Sequence, residues 1–159
     1  MSLEIERKFL MEGFPTELPC IREIEIEQGY LSIEPEVRIH KATDRKSGKQ
    51  DFRLTVKGNG ILTRTEIKTD IAESFYTEAV QMLAQPMIKK EYKSYAYEKY
   101  ILEVCYVDAE MESAFFYGEI EFSSEEEAKN FQKPDFFGKE VTVEEDYKMK
   151  NYWKRTRGV

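Results

Sequence analysis

Residues 4–11 alternate strictly. Glu4, Glu6 and Lys8 fall on one side of the chain, and Ile5, Arg7 and Phe9 fall on the other. A period of two predicts a strand with two unlike faces. Three charged side chains in a row, about 7 Å apart, suit the wall of a polar site better than a packed core.

The same period predicts strands over residues 22–33, 37–42, 51–57, 62–69, 87–97, 99–107 and 113–122. The breaks between them carry turn chemistry: Pro15 and Pro19, Glu34-Pro35, Ser47-Gly48, and the hairpin sequence Gly58-Asn59-Gly60. Three stretches follow a helical pattern instead. Residues 70–85 open on a capping-box pair, Asp70 and Glu73, and carry an apolar stripe of Ile71, Phe75, Ala79, Met82 and Leu83. Ser124 with Glu127 opens a short helix whose Glu125-Glu126-Glu127 turn is solvated and favoured by the helix dipole. Thr142 with Glu145 caps a last helix, packed by Tyr147, Tyr152 and Trp153 and ending in Lys154, Arg155 and Arg157. With no linker, low-complexity run or repeat, residues 1–159 are read as one domain.

Strand after strand has one charged side. Arg38 pairs with His40, Arg53 with Thr55 and Lys57, Arg64 with Glu66 and Lys68, Glu103 with Cys105, and Glu119 with Glu121. Taken singly, each strand fits a half-solvated sheet. The helices shift the balance, because their apolar stripes need a surface to cover. If they cover the apolar strand faces, the charged faces meet inside. The expected fold is therefore α+β: a closed antiparallel β-barrel, a tunnel of about eight strands with a charged lumen and helices packed outside.

Composition narrows the partners. Charged residues make up 35% of the chain and the formal net charge is -7. That argues against general nucleic-acid binding, which needs a basic footprint, but is compatible with a local basic pocket. No run approaches the roughly 18 apolar residues of a membrane span, and no leader is read at the N-terminus, so a cytoplasmic protein without membrane contact is expected. Cys20 and Cys105 lack metal spacing and are read as thiols. Tyr92, Tyr95, Tyr97 and Tyr100 are read as lining a surface or a subunit interface, which leaves a homodimer open.

The lumen would gather the acids Glu4, Glu6, Glu66, Glu103, Glu119 and Glu121 with the bases Lys8, Arg38, Arg53, Lys57, Arg64, Lys68 and Lys90. Confined charges need partners. A polyanion on the basic set and a divalent metal on the carboxylates would satisfy both. Carboxylate-only sites suit Mg2+ or Mn2+, and metal bridging of phosphate oxygens belongs to phosphoryl transfer.

At this point the residues match a family. Glu4-Ile5-Glu6-Arg7-Lys8 resembles the ExExK signature of the CYTH proteins, also called triphosphate tunnel metalloenzymes. Gln28-Gly29-Tyr30-Leu31, Val37-Arg38-Ile39, Leu54-Thr55-Val56-Lys57-Gly58, Arg64-Thr65-Glu66, Gly118-Glu119-Ile120-Glu121-Phe122 and Phe137-Gly138-Lys139-Glu140-Val141-Thr142 follow in the same order. The resemblance implies a tunnel that binds a triphosphate and a divalent metal. By that analogy Glu119 and Glu121, with Glu4 or Glu6, bind the metal. Lys8, Arg38, Lys57, Arg64 and Lys90 grip phosphates, and Arg53 joins them from strand parity. Lys8 and Glu66 are the catalytic candidates, Glu66 holding a second metal or placing the attacking water.

The chain departs from the family pattern at four positions. His40 stands where many relatives have the second Arg of Arg-x-Arg; it is either a phosphate ligand, charged only near or below pH ~6.5, or a satisfied lumen residue. Lys68 replaces an acid, Tyr92 an Arg, and Cys105 an Asp. The resulting first reading is a metal-dependent triphosphatase acting on inorganic triphosphate or a small organic triphosphate. The alternatives are a class IV-type adenylate cyclase, a polyphosphate- or nucleotide-binding protein without turnover, and a lipocalin-like carrier with an apolar lumen.

Overall fold

The computed structural model describes residues 2–159. The strands are β1 (Ser2–Met11), β2 (Cys20–Ser32), β3 (Glu36–Asp44), β4 (Gln50–Lys57), β5 (Thr63–Asp70), β6 (Ile88–Tyr97), β7 (Tyr100–Val107) and β8 (Phe115–Glu121). They close in the order β1-β5-β4-β3-β2-β6-β7-β8, every pair antiparallel, and β8 returns to β1 with Glu6 opposite Glu121 and Lys8 opposite Glu119. The expected closed barrel is the observed one. On most strands the polar side turns to the lumen and the apolar side outward; β2 is the exception, with Ile26 and Tyr30 inside and Glu23, Glu25 and Glu27 outside.

Three helices, α1 (Glu73–Leu83), α2 (Glu125–Asn130) and α3 (Met149–Arg157), pack on this wall. Under α2, Phe9 of β1 stacks on Phe137 at 4.7 Å and meets Phe131. Under α1, Tyr76 leans on Phe52 of β4 at 5.3 Å. A side chain at Gly29 on β2 would come within 2.8 Å of the Met87 sulfur and crowd Leu83, so a larger residue there must displace the flexible Met87 side chain beside the end of α1. Among the described residues, no helix is long and apolar enough to cross a membrane.

Two helix starts differ from expectation. β5 runs on to Asp70, whose carboxylate faces Arg53 at 3.5 Å, so the first helix begins at Glu73 behind Ala72 with no side-chain cap. Of the expected stripe, Ala79 is buried and Ile71 and Leu83 pack against the core, while Tyr76 takes the central place and Phe75 and Met82 are exposed. Thr142 does not cap a helix either: its hydroxyl oxygen accepts from the Lys8 backbone N–H at 2.9 Å, and a 3-10 turn over Glu145–Tyr147 precedes α3. Ser124 caps α2 as expected, accepting from the Glu127 N–H at 3.1 Å.

The C-terminal segment lies across one end of the barrel. Residues 138–141 bond along β1, with Leu10 N–H donating to Lys139 and Val141 N–H donating to Lys8. The chain then crosses to the opposite wall, where Arg157 donates to the carbonyls of Pro86 and Met87 at 3.0 and 2.9 Å and to Asp108 at 2.7 Å. Tyr152 adds its hydroxyl to Asp108 at 2.8 Å. Burial alone would raise the Asp108 carboxyl, but Arg157 and the Lys89 N–H outweigh it and hold it below its ordinary range. Trp153 meets the Tyr30 ring at 6.1 Å, so this end is stopped by aromatic side chains.

Candidate active site inside the barrel

The lumen is a cavity of about 260 Å³. It is lined by Glu4, Glu6 and Lys8 of β1, Glu36, Arg38 and His40 of β3, Arg64, Glu66 and Lys68 of β5, and Tyr117, Glu119 and Glu121 of β8. Lys57, Lys90, Tyr92, Glu103 and Cys105 complete the charged and polar walls. The faces expected to meet inside do so, which removes the apolar-carrier reading. Arg53 shares the lumen parity but sits beyond the lining, at the rim, paired with exposed Asp70.

The cations fall into two groups. Lys57 lies 3.2 Å from Glu4 and 3.4 Å from Glu66, Arg64 lies 3.3 Å from Glu36, and Lys68 lies 2.9 Å from Glu66. Lys8, Arg38 and Lys90 have no ion-pair partner among the described residues. Lys8 donates to the Tyr147 carbonyl at 2.6 Å and stands 4.1 Å above the Tyr117 ring. Lys90 donates to the Tyr117 hydroxyl at 2.6 Å. Burial pulls both ammonium groups below the ordinary lysine range, Lys90 to about 8. The hydrogen-bond partners of Lys8 and Lys90 are neutral, and the carboxylates near them act through space without a direct ion pair.

The carboxyls form two pairs, Glu4 against Glu66 and Glu6 against Glu119. Two buried carboxylates in contact disfavour each other's ionised form, so one member of each pair is shifted toward holding a proton. Burial, then the neighbouring acid, raises Glu4 and Glu6. For Glu66 and Glu119 burial pushes the same way, but hydrogen bonds from their partners and the lysine charges prevail and keep them ionised.

This donor set suits a hard divalent cation chemically: it is all oxygen, and a cation can displace the protons toward which Glu4 and Glu6 are shifted. Glu121 stands at the exposed mouth beside Glu6 in the β1–β8 register. Among the described residues no three such groups converge on one point at coordinating distance; Glu4 and Glu66 turn instead toward Lys57 and Lys68.

Of the two roles expected for His40, a phosphate ligand charged near or below pH ~6.5 or a satisfied lumen residue, the surroundings favour the second. Burial, and then Arg38, Arg53, Lys90 and Lys68, push its imidazole down to about 3, so it is neutral at any ordinary pH. Tyr92 faces the lumen and donates to Glu103 at 2.5 Å. Tyr95 is buried, while Tyr97 and Tyr100 meet the Phe131 ring edge-on, so these four rings do not form one exposed patch. Cys105 is buried and its thiol is pushed up to about 11 by that burial, so it stays protonated.

Sequence reasoning missed several lining residues, Gln28, Glu36, Tyr117, Tyr147 and Met149 among them. Glu36 and Tyr117 obey the strand parity of Arg38 and Glu119, a usable signal. Tyr147 and Met149 enter from irregular chain, where no periodic signal exists.

Comparisons with known proteins agree with this geometry. No protein-family model matches the chain. It is 30% identical over 151 residues to a protein of Nitrosomonas europaea named inorganic triphosphatase, covering 92% of this chain and 94% of the relative. A protein of Acetivibrio thermocellus with the same name is 28% identical over 153 residues, covering 95% and 93%. Among solved structures, the crystal structure of the inorganic triphosphatase NE1496 superposes with a TM-score of 0.63 at 25% identity, covering 96% of this chain and 95% of that one.

Proposed function

Because this chain belongs to the family of the inorganic triphosphatases, we propose that it is a metal-dependent triphosphatase that releases phosphate from inorganic triphosphate inside its barrel. We place it in the CYTH group of triphosphate tunnel enzymes. The observation that carries the reading is the trio Lys8, Arg38 and Lys90, buried cations without carboxylate partners facing paired carboxyls across one lumen.

In the proposed mechanism Lys8, Arg38 and Lys90 take phosphate oxygens at the stopped end. Lys57 and Arg64 are already held by Glu4, Glu66 and Glu36, and they flank the chain of phosphates. Water attacks the terminal phosphoryl group in line with the leaving pyrophosphate. Lys8 stabilises charge that grows on the phosphoryl oxygens, an effect that is large in a buried, preorganised site. Glu66 is kept ionised by Lys68 and Lys57, so it orients the water by accepting a hydrogen bond rather than acting as a strong base. Magnesium or manganese would be held by Glu4, Glu6 and Glu119 with Glu121 at the mouth, and would supply neutralisation of the phosphates.

The test is phosphate release from inorganic triphosphate with magnesium, with manganese and with chelator, beside ATP and thiamine triphosphate, with Lys8→Ala as the blank. Metal-dependent release that disappears in the blank is the expected result. No release from any substrate, or equal release in the blank, defeats the reading. Cyclic AMP from the ATP arm would replace it with a cyclase.

A further inference from the structure

Five buried side-chain polar atoms lack a partner among the described residues, and four of them cluster on one wall: Gln28 Nε2, Tyr30 Oη, Arg38 Nε and Thr55 Oγ1, from β2, β3 and β4. Buried donors are almost always satisfied, so a cluster of exceptions on a lumen wall asks for a cause. Gln28 is the neutral group best placed among them. It is 2% exposed, yet its side chain lines the lumen.

The register locates it. Gln28 lies opposite His40 on β3 and opposite Ile88 on β6, while Arg38 and Lys90 are the lumen-facing residues two positions along those strands. Diagonal neighbours of this kind stand about 7–8 Å apart at the backbone, within reach of long side chains. Arg38, Gln28 and Lys90 thus form a row of donors across three neighbouring strands, with the amide in the middle. The cations that keep His40 neutral surround the same place from β3, β4, β5 and β6. Positive field converges there, and the amide offers an N–H without adding another charge for the empty lumen to bear.

Resting on the triphosphatase reading, we infer that Gln28 is a substrate-positioning residue whose side-chain amide donates to a non-bridging phosphate oxygen held between Arg38 and Lys90. It fixes where the phosphate chain sits between the two cations. The unpartnered amide is a stability cost that substrate removes, which separates this role from a structural one. A structural glutamine should lose stability on replacement. A positioning glutamine replaced by an apolar residue of similar shape should lose affinity and keep or gain stability.

The experiment compares full-length wild type, Gln28→Met and Gln28→Glu by calorimetric binding of inorganic triphosphate, steady-state phosphate release and thermal melting. Gln28→Met should weaken triphosphate binding and raise KM roughly tenfold to a hundredfold, with kcat little changed and the melting midpoint equal or higher. Gln28→Glu, of the same shape, should weaken binding further by placing an anion beside the phosphates. Unchanged affinity in both variants overturns the inference. So does a lower melting midpoint in Gln28→Met with loss of binding that Gln28→Glu does not share. Wild type that neither binds nor cleaves triphosphate would remove the triphosphatase reading and the inference with it, a result distinct from wild-type activity that both variants retain.

Discussion

Lys8 donates an ammonium hydrogen bond to the carbonyl oxygen of Tyr147 at 2.6 Å, joining the first strand to the turn before the last helix. The contact aims a buried cation into the lumen without spending its charge on a carboxylate. It also makes the C-terminal segment part of the site rather than a cover for it.

Lys8→Ala should therefore lower turnover at least ~100-fold, the scale of losing one preorganised transition-state contact. The fold should survive, because a buried charge is removed and not created. Phosphate release and a thermal melt on the same sample check both halves. Near-normal rates would take Lys8 out of the mechanism.

Lys90 should set the alkaline limb of binding. Burial lowers its ammonium to about 8 in the free protein, and a polyanion favours the charged form. Affinity for triphosphate should hold below pH 8 and fall above it, up to about tenfold per pH unit. Lys90→Arg, which stays charged, should flatten that limb. His40 titrates too low to shape the same profile.

Divalent metal should bind with release of protons, since burial and the neighbouring acid raise Glu4 and Glu6 toward the protonated form that a cation displaces. Affinity should rise with pH through the range where Glu6 would otherwise stay protonated. Magnesium titrations in two buffers of different ionisation heat measure the protons directly. Identical heats in both would mean that no carboxyl proton is displaced at the metal site.

Arg157→Ala should be strongly destabilising. The replacement leaves Asp108 charged and buried without its partner, a change costing about 3–5 kcal/mol, or roughly 6–20 °C in melting midpoint for a chain of this size. The double change Asp108→Leu with Arg157→Met should cost less. A midpoint within a degree of wild type for Arg157→Ala would show that the pair does not hold α3.

Much of the barrel was readable from strand parity, because the charged face of a strand is visible two residues at a time: Glu4 to Lys8, Arg64 to Lys68, Glu119 to Glu121. Glu36 escaped by lying one residue before the expected start of its strand. Tyr117 escaped because a tyrosine reads as apolar until its hydroxyl is seen against Lys90. On α1 periodicity found Ile71, Ala79 and Leu83 but also favoured Phe75 and Met82, which are exposed, and missed Tyr76, which meets the Phe52 ring of a distant strand. The charge state of His40 was out of reach, as it depends on cations from four strands that meet only when the sheet closes.

That closure joins the first strand to the last, with Glu6 reaching Glu121. During synthesis β1 must therefore wait until nearly the whole chain has emerged before one of its edges is paired. An unpaired strand invites association with other chains, and inward-pointing charges are a recognised defence. Glu4, Glu6 and Lys8 would thus act twice in the life of the molecule: first as a guard that keeps a nascent strand in water, and later, once β8 arrives, as the wall of the chamber that the finished barrel encloses.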